Sequence, residues 1–425
     1  MPHRTWISTP VLLFIGALSF ITCEPERAEV LDRVGFELNQ PANIKVGAKV
    51  LIQKHLDELD GRNIGLVMNP TARVDGVHML DTLIALGLPV KALFAAEHGF
   101  RGSLGAGEII QNGLDEATGL PVFSLYGATK KPTAKMLEEI DVLLFDMQDV
   151  GARFYTYNST MKYVIEAAAE QGIEVWILDR PNPLGGDYVA GWVLEPEYNS
   201  FVGTYPIPIA HGLTLGELAQ MALGEDWYET DAKVNLRVIP MSGWQREMKW
   251  NDTQLEWVPP SPNLPTFEHA YAYIGTCFFE GTTLSEGRGT EHPFLMMGGE
   301  SSILNDDVSL WVNYGVLLQP TQFTPVSIPG KALRPKGEGL LLNGILWENA
   351  LEHPDPLTVG LRMMQWLMEH SPEATYKDYL YLLAGTDKID ELSRKRINLK
   401  IDSLDIDWGS NFESFKEKRS NYLLY

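Results

Sequence analysis

Short apolar runs alternate with helical segments through the N-terminal half of the chain, and this order restricts the fold to a few types. The main runs are apolar almost throughout, instead of alternating with polar residues. Strands with this pattern are buried on both faces, as in parallel sheets that are covered by helices. The sequence therefore predicts an α/β fold built on a mostly parallel sheet. The predicted strands cover residues 63–69, 89–96, 120–126, 141–146 and 173–179, and the predicted helices cover 77–86, 132–140, 159–171 and 214–223.

The character of the sequence changes after about Trp244, and a proline-dense connector at residues 259–266 marks the predicted domain boundary. Beyond it, strand-like runs are followed by helical stretches, which is typical of an α+β domain. We therefore predict a larger domain at residues 46–262 and a smaller one at 263–425. The later predicted strands cover 308–318 and 323–328, and the later predicted helices cover 357–370 and 387–398.

Residues 1–22 have the pattern of an export signal. Their apolar run at 11–21 is too short to span a bilayer, and Cys23 follows shortly, directly before polar and acidic residues. This resembles a bacterial lipoprotein signal in which Cys23 becomes the lipidated first residue, although Thr22 is a less usual residue at that position. We expect a tether at 23–45 and an exported protein, periplasmic or on the cell surface, that contacts the membrane through its lipid anchor only. An ordinary signal peptide with an incidental cysteine is the alternative.

Charge and cysteine content exclude several classes of function. Asp and Glu together number 56 against 34 Lys and Arg, so the formal net charge is -22 at pH 7. Such an acidic chain is unsuited to sequence-independent nucleic-acid binding, which needs a basic surface. Only two cysteines, Cys23 and Cys277, are present, so neither a disulfide framework nor a cysteine-based zinc finger can form. We therefore expect no nucleic-acid partner.

The usual cofactor motifs are missing from the sequence. The first predicted strand is followed by NPTARVDG, which is neither a dinucleotide fingerprint nor a phosphate-binding loop. No HExxH motif occurs, and the nine histidines are scattered. A metal site made by Glu97, His98 and Asp146 is the weaker alternative, because a lone Glu–His pair more often makes hydrogen bonds. We therefore expect neither a cofactor nor a metal.

Polar clusters follow four of the predicted strands, beginning at Asn69, Glu97, Asp146 and Asp179. Because the carboxyl ends of parallel strands lie at one edge of a sheet, these clusters should meet there, and ligands of open α/β sheets bind at this edge. A single cluster has a simpler explanation as a helix cap or an ion pair. Four clusters at one edge favour a functional site.

Without a cofactor, the residues at this edge suit carboxylate chemistry such as glycoside hydrolysis, which needs an acid to protonate the leaving oxygen. Glu97 follows an apolar run, which suits a general acid; its alternative role is to accept N–H bonds from the glycine-rich turn after it. Of Asp146 and Asp149, one is a candidate to position the site or activate water, and the other to cap the following turn. Tyr155 and Tyr157 are candidates to bind a sugar or support an oxocarbenium ion, with simple packing as the alternative.

Four arginines lie inside the polar motifs of this acidic chain. A guanidinium group is the usual bidentate partner of a carboxylate or a phosphate. Pairing with neighbouring Asp and Glu is the alternative, and we expect it for at least half of them. If two converge on open space, the ligand is anionic. The four are Arg101, Arg153, Arg180 and Arg288.

Six motifs stand in the order in which they occur in the NamZ-like exo-β-N-acetylmuramidases, a family formerly described as a domain of unknown function. The chain resembles this family from Ile64 to the C-terminus. The motifs are NPT, EHGFRG, FDMQDVGARFYTY, DRPNPLGG, SPNLPT and EGTTLSEGRGTEHPF. The resemblance implies a Rossmann-like N-terminal domain and a smaller C-terminal domain, with the site in the cleft between them. It also implies release of N-acetylmuramic acid from the non-reducing end of peptidoglycan fragments, without nucleotide or metal.

The resemblance places the catalytic glutamate at Glu97 and the contribution of the C-terminal domain at residues 285–290. The lactyl carboxylate of muramic acid agrees with the arginine argument, and export agrees with a peptidoglycan substrate. Trp192 departs from the family pattern, which puts the fit of the substrate in doubt. The predicted catalytic residues are Glu97, Asp146 and Tyr155, and the predicted substrate-binding residues are Asn69, His98, Arg101, Asp149, Arg153, Tyr157, Arg180, Asn182, Glu286 and Arg288.

Two other functions stay open from the sequence. One is hydrolysis of another β-N-acetylhexosaminide, which would need no arginine in the cleft because the sugar is neutral. The other is a cell-wall-binding lipoprotein without catalytic activity, in which replacing Glu97 by Gln would have no effect on ligand binding.

Overall fold

The computed structural model describes residues 44–101, 112–304, 306–400 and 402–425. The predicted signal, Cys23 and nearly all of the predicted tether lie outside these residues. Within the described part of the chain, no helix has the length and apolar character needed to cross a membrane.

A seven-stranded sheet forms the N-terminal domain, in the order β5-β6-β4-β1-β7-β8-β9. All neighbouring pairs are parallel except that of the short edge strand β5 with β6. The mostly parallel α/β sheet predicted from the apolar runs is therefore confirmed. The strands are β1 Ile64–Met68, β4 Val90–Ala95, β5 Gly113–Leu114, β6 Pro121–Ser124, β7 Val142–Asp146, β8 Glu174–Leu178 and β9 Leu236–Ile239, and β2 Arg73–Val74 pairs with β3 Val77–His78 in a separate ribbon.

The central strands β1 and β7 are buried at every position, which explains their uninterrupted apolar sequences. Met68 pairs with Ala95 on one side and with Asp146 on the other. This register brings the carboxyl ends of β4, β1 and β7 to the same level, so the polar residues that follow these strands emerge at one edge of the sheet.

Helices connect the strands of the N-terminal domain. The capping box predicted at Thr214 is present: its hydroxyl accepts from the Glu217 N–H at 3.1 Å, and the Glu217 carboxylate accepts from the Thr214 N–H at 3.0 Å. The helix predicted at 77–86 begins later, because its first two residues form β3. The helices are α1 Gly47–Lys54, α2 Met79–Ala85, α3 Ala134–Leu137, α4 Tyr157–Glu170, α5 Leu215–Gly224 and α6 Trp250–Thr253.

The C-terminal region contains a three-stranded antiparallel sheet in the order β10-β12-β11 and several helices, as predicted for a smaller α+β domain. Helices α7 and α8 cross at Gly275 and Gly360, where a Cβ on Gly275 would lie 2.9 Å from the Gly360 Cα. The elements are α7 Phe267–Thr276, β10 Met296–Gly299, β11 Leu318–Phe323, β12 Leu342–Trp347, α8 Pro356–Glu369, α9 Tyr379–Ala384, α10 Asp390–Arg394 and α11 Ser410–Arg419.

Three C-terminal predictions are wrong in detail. Most of the segment predicted as a strand at 308–318 forms a 3-10 helix, Asp306–Tyr314. The prediction failed because the period of a short apolar run does not distinguish a strand from a helix. The second predicted strand starts earlier, as β11 at Leu318–Phe323. The helix predicted at 387–398 is split into the 3-10 turn Asp387–Ile389 and α10.

The two domains share an apolar core instead of meeting at a hydrated interface. The Phe154 ring, from the N-terminal domain, packs edge-on against Tyr273 and Phe278 at centroid distances of 5.4 and 5.6 Å. The chain terminus also returns to the first domain, where the Tyr425 hydroxyl donates to the buried Asp179 carboxylate at 2.8 Å. These contacts hold the C-terminal domain over the carboxyl edge of the parallel sheet.

Candidate active site

A cavity of about 470 Å³ lies between the carboxyl edge of the parallel sheet and the C-terminal domain. Its position is the one expected for a ligand site in an open α/β sheet, and its volume is within the range of small-molecule sites. Both domains supply polar and aromatic walls. The N-terminal wall includes Glu97, His98, Tyr126, Tyr155, Thr156 and Phe201, and the C-terminal wall includes Tyr273, Glu280, Glu286, Arg288, Lys331, Arg334, Lys336 and Tyr379.

A tight turn after β4 presents Glu97 to this cavity. The Gly99 N–H donates to the Ala96 carbonyl at 3.2 Å, and His98 inside the turn has a left-handed φ of 72°. This backbone conformation is uncommon for residues other than glycine, and such strain is characteristic of functional sites. Glu97 is half-buried and His98 is buried, and both predicted site residues line the cavity.

Hydroxyl groups surround the Glu97 carboxylate. The Thr156 hydroxyl, directly before α4, donates to Glu97 Oε2 at 3.4 Å. Tyr126, which follows β6, lines the same cavity, and burial together with the charge of the nearby Glu97 raises the pKa of Tyr126, so that its hydroxyl stays protonated. Residues that follow three different strands of the sheet therefore meet at Glu97.

Tyr155 and Tyr157 have different environments, although the sequence suggested similar roles. Their rings pack edge-on at 4.8 Å. The Tyr157 hydroxyl donates to the Pro260 carbonyl at 2.7 Å, and Tyr157 does not line the cavity. Tyr155 does line it, and its buried hydroxyl has no hydrogen-bond partner of normal geometry among the described residues. Burial raises the pKa of Tyr155 well above its usual value, so the hydroxyl remains a proton donor.

The C-terminal wall carries two glutamates that are held in ion pairs. Arg288 lies 2.7 Å from Glu280 and 3.2 Å from Glu286, and Lys336 lies 3.0 Å from Glu286. Burial raises the pKa of Glu280 despite the nearby Arg288. For Glu286, burial acts in the same direction, but Lys336 and Arg288 together outweigh it and lower the pKa. The predicted site residues Glu286 and Arg288 therefore both line the cavity, where they are paired with each other.

Asp146, predicted to be catalytic, lies outside the cavity and forms a buried ion pair with Arg180. The Arg180 guanidinium donates to Asp146 Oδ2 at 3.1 Å and to the Arg73 carbonyl at 3.2 Å. Asp146 is fully buried, and neither residue of the pair lines the cavity. Asp146, predicted to be catalytic, and Arg180, predicted to contact the substrate, therefore form a buried ion pair at the strand ends, outside this cavity.

Asn69, Asp149 and Asn182 also lie outside the cavity, where they close turns after the strands. Asn69 Oδ1 accepts from the Thr71 N–H at 3.0 Å, Asp149 Oδ1 from the Gly151 N–H at 2.7 Å, and Asn182 Oδ1 from the Leu184 N–H at 3.0 Å. Burial raises the pKa of Asp149 to about 7. The three residues, predicted to contact the substrate, thus make turn hydrogen bonds outside this cavity.

Two of the four motif arginines are also placed elsewhere. Arg101 pairs with Asp115 at 2.7 Å and with Asp81 at 3.4 Å, outside the cavity. Arg153 is fully buried, and its guanidinium donates to the carbonyls of Trp192, Ile207 and Leu383 at 2.8, 3.0 and 2.8 Å. Arg153 thus ties the two domains together, and of the four arginines only Arg288 lines the cavity.

Several residues of the cavity were missed by the sequence reasoning, notably Lys331 and Arg334. They lie on a C-terminal loop that follows no strand of the parallel sheet. The segment KALRPK at 331–336 contains three cations within six residues of an acidic chain, and this local charge was the signal that could have identified them. Within the described ranges, no group of three or more His, Cys, Asp or Glu side chains is arranged to hold a metal ion.

Family models cover almost all of the described chain. The model described as "Exo-beta-N-acetylmuramidase NamZ, N-terminal" matches residues 64–268, and the corresponding C-terminal model matches residues 271–425. The chain belongs to the NamZ family. The resemblance found in the sequence motifs is thereby confirmed, and the two walls of the cavity come from the two NamZ segments.

Proteins similar to this chain are known from sequence and from crystal structures. The peptidoglycan beta-N-acetylmuramidase NamZ of Bacillus subtilis (strain 168) is 38% identical over 425 residues, which is 97% of each chain. A DUF1343 family protein from Bacteroides fragilis NCTC 9343 is 32% identical with a TM-score of 0.76, covering 91% of this chain and 100% of its own. A second protein of that description from the same organism is 33% identical with a TM-score of 0.73, covering 90% and 99%.

Proposed function

We propose that this protein is an exo-acting glycoside hydrolase that releases N-acetylmuramic acid from the non-reducing end of peptidoglycan fragments. The observation that carries the proposal is the position of Glu97, the glutamate of the EHG motif, in the cavity between the two NamZ segments. The name of the Bacillus subtilis relative supports the same substrate class.

In this mechanism Glu97 is the general acid. As the bond between the anomeric carbon and the glycosidic oxygen breaks, the Glu97 carboxyl transfers its proton to that oxygen, which leaves as an alcohol. Positive charge develops on the sugar ring, water then adds to the anomeric carbon, and the proton that this water loses is balanced by reprotonation of the Glu97 carboxylate through solvent. The Thr156 hydroxyl helps to hold the Glu97 carboxyl in place, and the protonated Tyr155 hydroxyl is available to donate to the bound sugar.

The site of action follows from the substrate. Peptidoglycan lies outside the cytoplasm, and the N-terminal sequence has the pattern of a lipoprotein signal ending before Cys23. We propose that the protein is exported, held at the membrane through a lipid on Cys23, and active on soluble fragments at the periplasmic or outer face. Labelling with a radioactive fatty acid tests the anchor, because Cys23→Ala should abolish incorporation.

The decisive experiment measures turnover of a chromogenic N-acetylmuramic acid β-glycoside by the soluble chain that starts after Cys23. The N-acetylglucosamine analogue, Glu97→Gln and the exposed control Glu138→Gln are measured beside it. Loss of a general acid lowers kcat by roughly 10²- to 10⁴-fold, so Glu97→Gln should lose turnover and keep binding, while Glu138→Gln should match the wild type.

The other outcomes separate the alternatives. Release from the N-acetylglucosamine substrate alone would indicate a different β-N-acetylhexosaminidase. No release from either sugar by the folded wild-type protein would contradict the enzyme proposal and favour a cell-wall-binding lipoprotein.

A further inference from the structure

We propose that Lys331 and Arg334 form the anion subsite that binds the lactyl carboxylate of N-acetylmuramic acid. The inference rests on the proposed function and names the residues that select muramic acid over the neutral N-acetylglucosamine. Both residues belong to the C-terminal segment 328–336, which is named the cationic loop here, and both line the cavity that contains Glu97.

Lys331 and Arg334 have no anionic partner among the residues that the structure describes. The other two cations of the cavity, Arg288 and Lys336, are within 3.0 Å of Glu280 and Glu286, respectively. In contrast, the side chains of Lys331 and Arg334 have neither an ion pair nor a hydrogen bond within the described part of the chain. In a protein with a net charge of -22, two uncompensated cations at the cavity wall are a local reversal of charge that favours an anionic ligand.

The cationic loop is held in place from both ends, so its charges are presented in a defined position. Ile328 and Ala332 exchange backbone hydrogen bonds at 2.9 and 2.8 Å. The buried Asn263 side chain, in the connector between the domains, donates to the Lys331 carbonyl at 2.7 Å. At the other end, Pro335 packs so closely on Gly289 that a Cβ there would lie 2.6 Å from the proline ring.

Arg334 has a strained backbone, which is a second and independent observation. Its φ is 53°, in the left-handed region that is uncommon for a residue other than glycine. Strain of this kind persists when the surrounding structure imposes it, and it is concentrated at binding sites. Here the surrounding contacts fix the backbone of an exposed arginine beside the cavity, while its guanidinium has no partner among the residues that the structure describes.

The chemistry of the two side chains matches a carboxylate. The planar guanidinium of Arg334 can bind both carboxylate oxygens at once, and the ammonium group of Lys331 adds a compact positive charge. The motif arginines do not offer this site, because Arg101 and Arg153 lie elsewhere and Arg288 is already paired. N-acetylglucosamine lacks the lactyl group, so these contacts act on muramic acid alone.

The test compares two substrates that differ only in charge: the N-acetylmuramic acid β-glycoside and the same compound with its carboxylate converted to a carboxamide. Arg334→Gln and Lys331→Gln are measured against Arg396→Gln, an exposed arginine outside the cavity. Loss of a hydrogen bond to a charged group predicts a decrease of about 10- to 100-fold in kcat/KM on the acid substrate, mainly through KM. On the carboxamide, all three variants should stay within about threefold of the wild type.

Equal losses on both substrates, or no loss on either, would overturn the subsite. Calorimetric binding of N-acetylmuramic acid and N-acetylglucosamine separates this failure from failure of the proposed function. If the wild type turns over neither substrate but binds muramic acid in a manner that Arg334→Gln weakens, the subsite is supported and the hydrolase is refuted. If it neither turns over nor binds muramic acid, both proposals are refuted.

Discussion

Replacing Tyr155 by phenylalanine removes a buried hydroxyl beside the cavity that has no hydrogen-bond partner of normal geometry among the described residues. The ring remains, so the edge-on contact with Tyr157 at 4.8 Å is preserved and no cavity is created in the core. A buried polar group without a hydrogen bond costs about 1–3 kcal/mol. We therefore expect Tyr155→Phe to raise the free energy of unfolding by about 1 kcal/mol, the lower end of that range, because some relaxation around the hydroxyl is normal.

The same substitution should lower activity. A sugar oxygen can accept a hydrogen bond from the Tyr155 hydroxyl when the substrate binds. Removing this hydroxyl should then reduce kcat/KM by about 10- to 100-fold, which corresponds to about 1.4–2.7 kcal/mol. Tyr157→Phe is the matched control, since the hydroxyl of Tyr157 already donates to the Pro260 carbonyl at 2.7 Å. Removing it leaves a buried carbonyl unsatisfied, so this variant should lose about 1–2 kcal/mol of stability.

Urea denaturation followed by tryptophan fluorescence measures the stabilities, and turnover of the muramic acid glycoside measures the activities. A gain in stability combined with a loss of activity is the expected result for Tyr155→Phe, and it is a combination that a purely structural tyrosine does not produce. The reasoning is refuted if Tyr155→Phe is destabilised as much as Tyr157→Phe, or if it keeps full activity.

Two further predictions concern predicted site residues that lie outside the cavity in the structure. Arg153→Met should lose about 3–5 kcal/mol of stability in urea, because three carbonyls from both domains lose their donor; a raised KM at unchanged stability would instead indicate a substrate contact. Burial raises the pKa of Asp149 to about 7, so the folded state binds this proton more tightly than the unfolded chain does. The free energy of unfolding should therefore fall by about 3 kcal/mol as pH rises from about 4 to 7, and Asp149→Asn should remove this part of the pH dependence; identical slopes in both proteins would contradict it.

Local sequence patterns predicted much of the N-terminal domain. Uninterrupted apolar runs are required for strands that are buried on both faces, and the parallel register then brings the residues after them to one edge. The capping box at Thr214 could likewise be predicted from the sequence, because its hydrogen bonds join residues only three positions apart. The C-terminal elements were harder, since the apolar run at 308–318 fits a strand or a helix and its packing decides between them.

The candidate site was predicted in part for the same reason. Glu97, His98 and Tyr155 were found because each follows a strand of the parallel sheet or lies in a motif that does. Lys331 and Arg334 were not found, because their loop reaches the cavity only through the packing of the C-terminal domain. The positions of strand ends are local information, whereas the approach of a loop from the second domain is not.

The sequence by itself determined the parallel sheet, the edge at which polar residues collect and the glutamate that lies there. Only the tertiary structure decided which charged side chains are free to meet a ligand. Arg153 contacts the Leu383 carbonyl, 230 residues away, and Asp146 contacts Arg180, 34 residues away, and no local pattern specifies such pairs. A charge is available for binding when no partner lies within reach in space, and that condition is set by packing between distant segments.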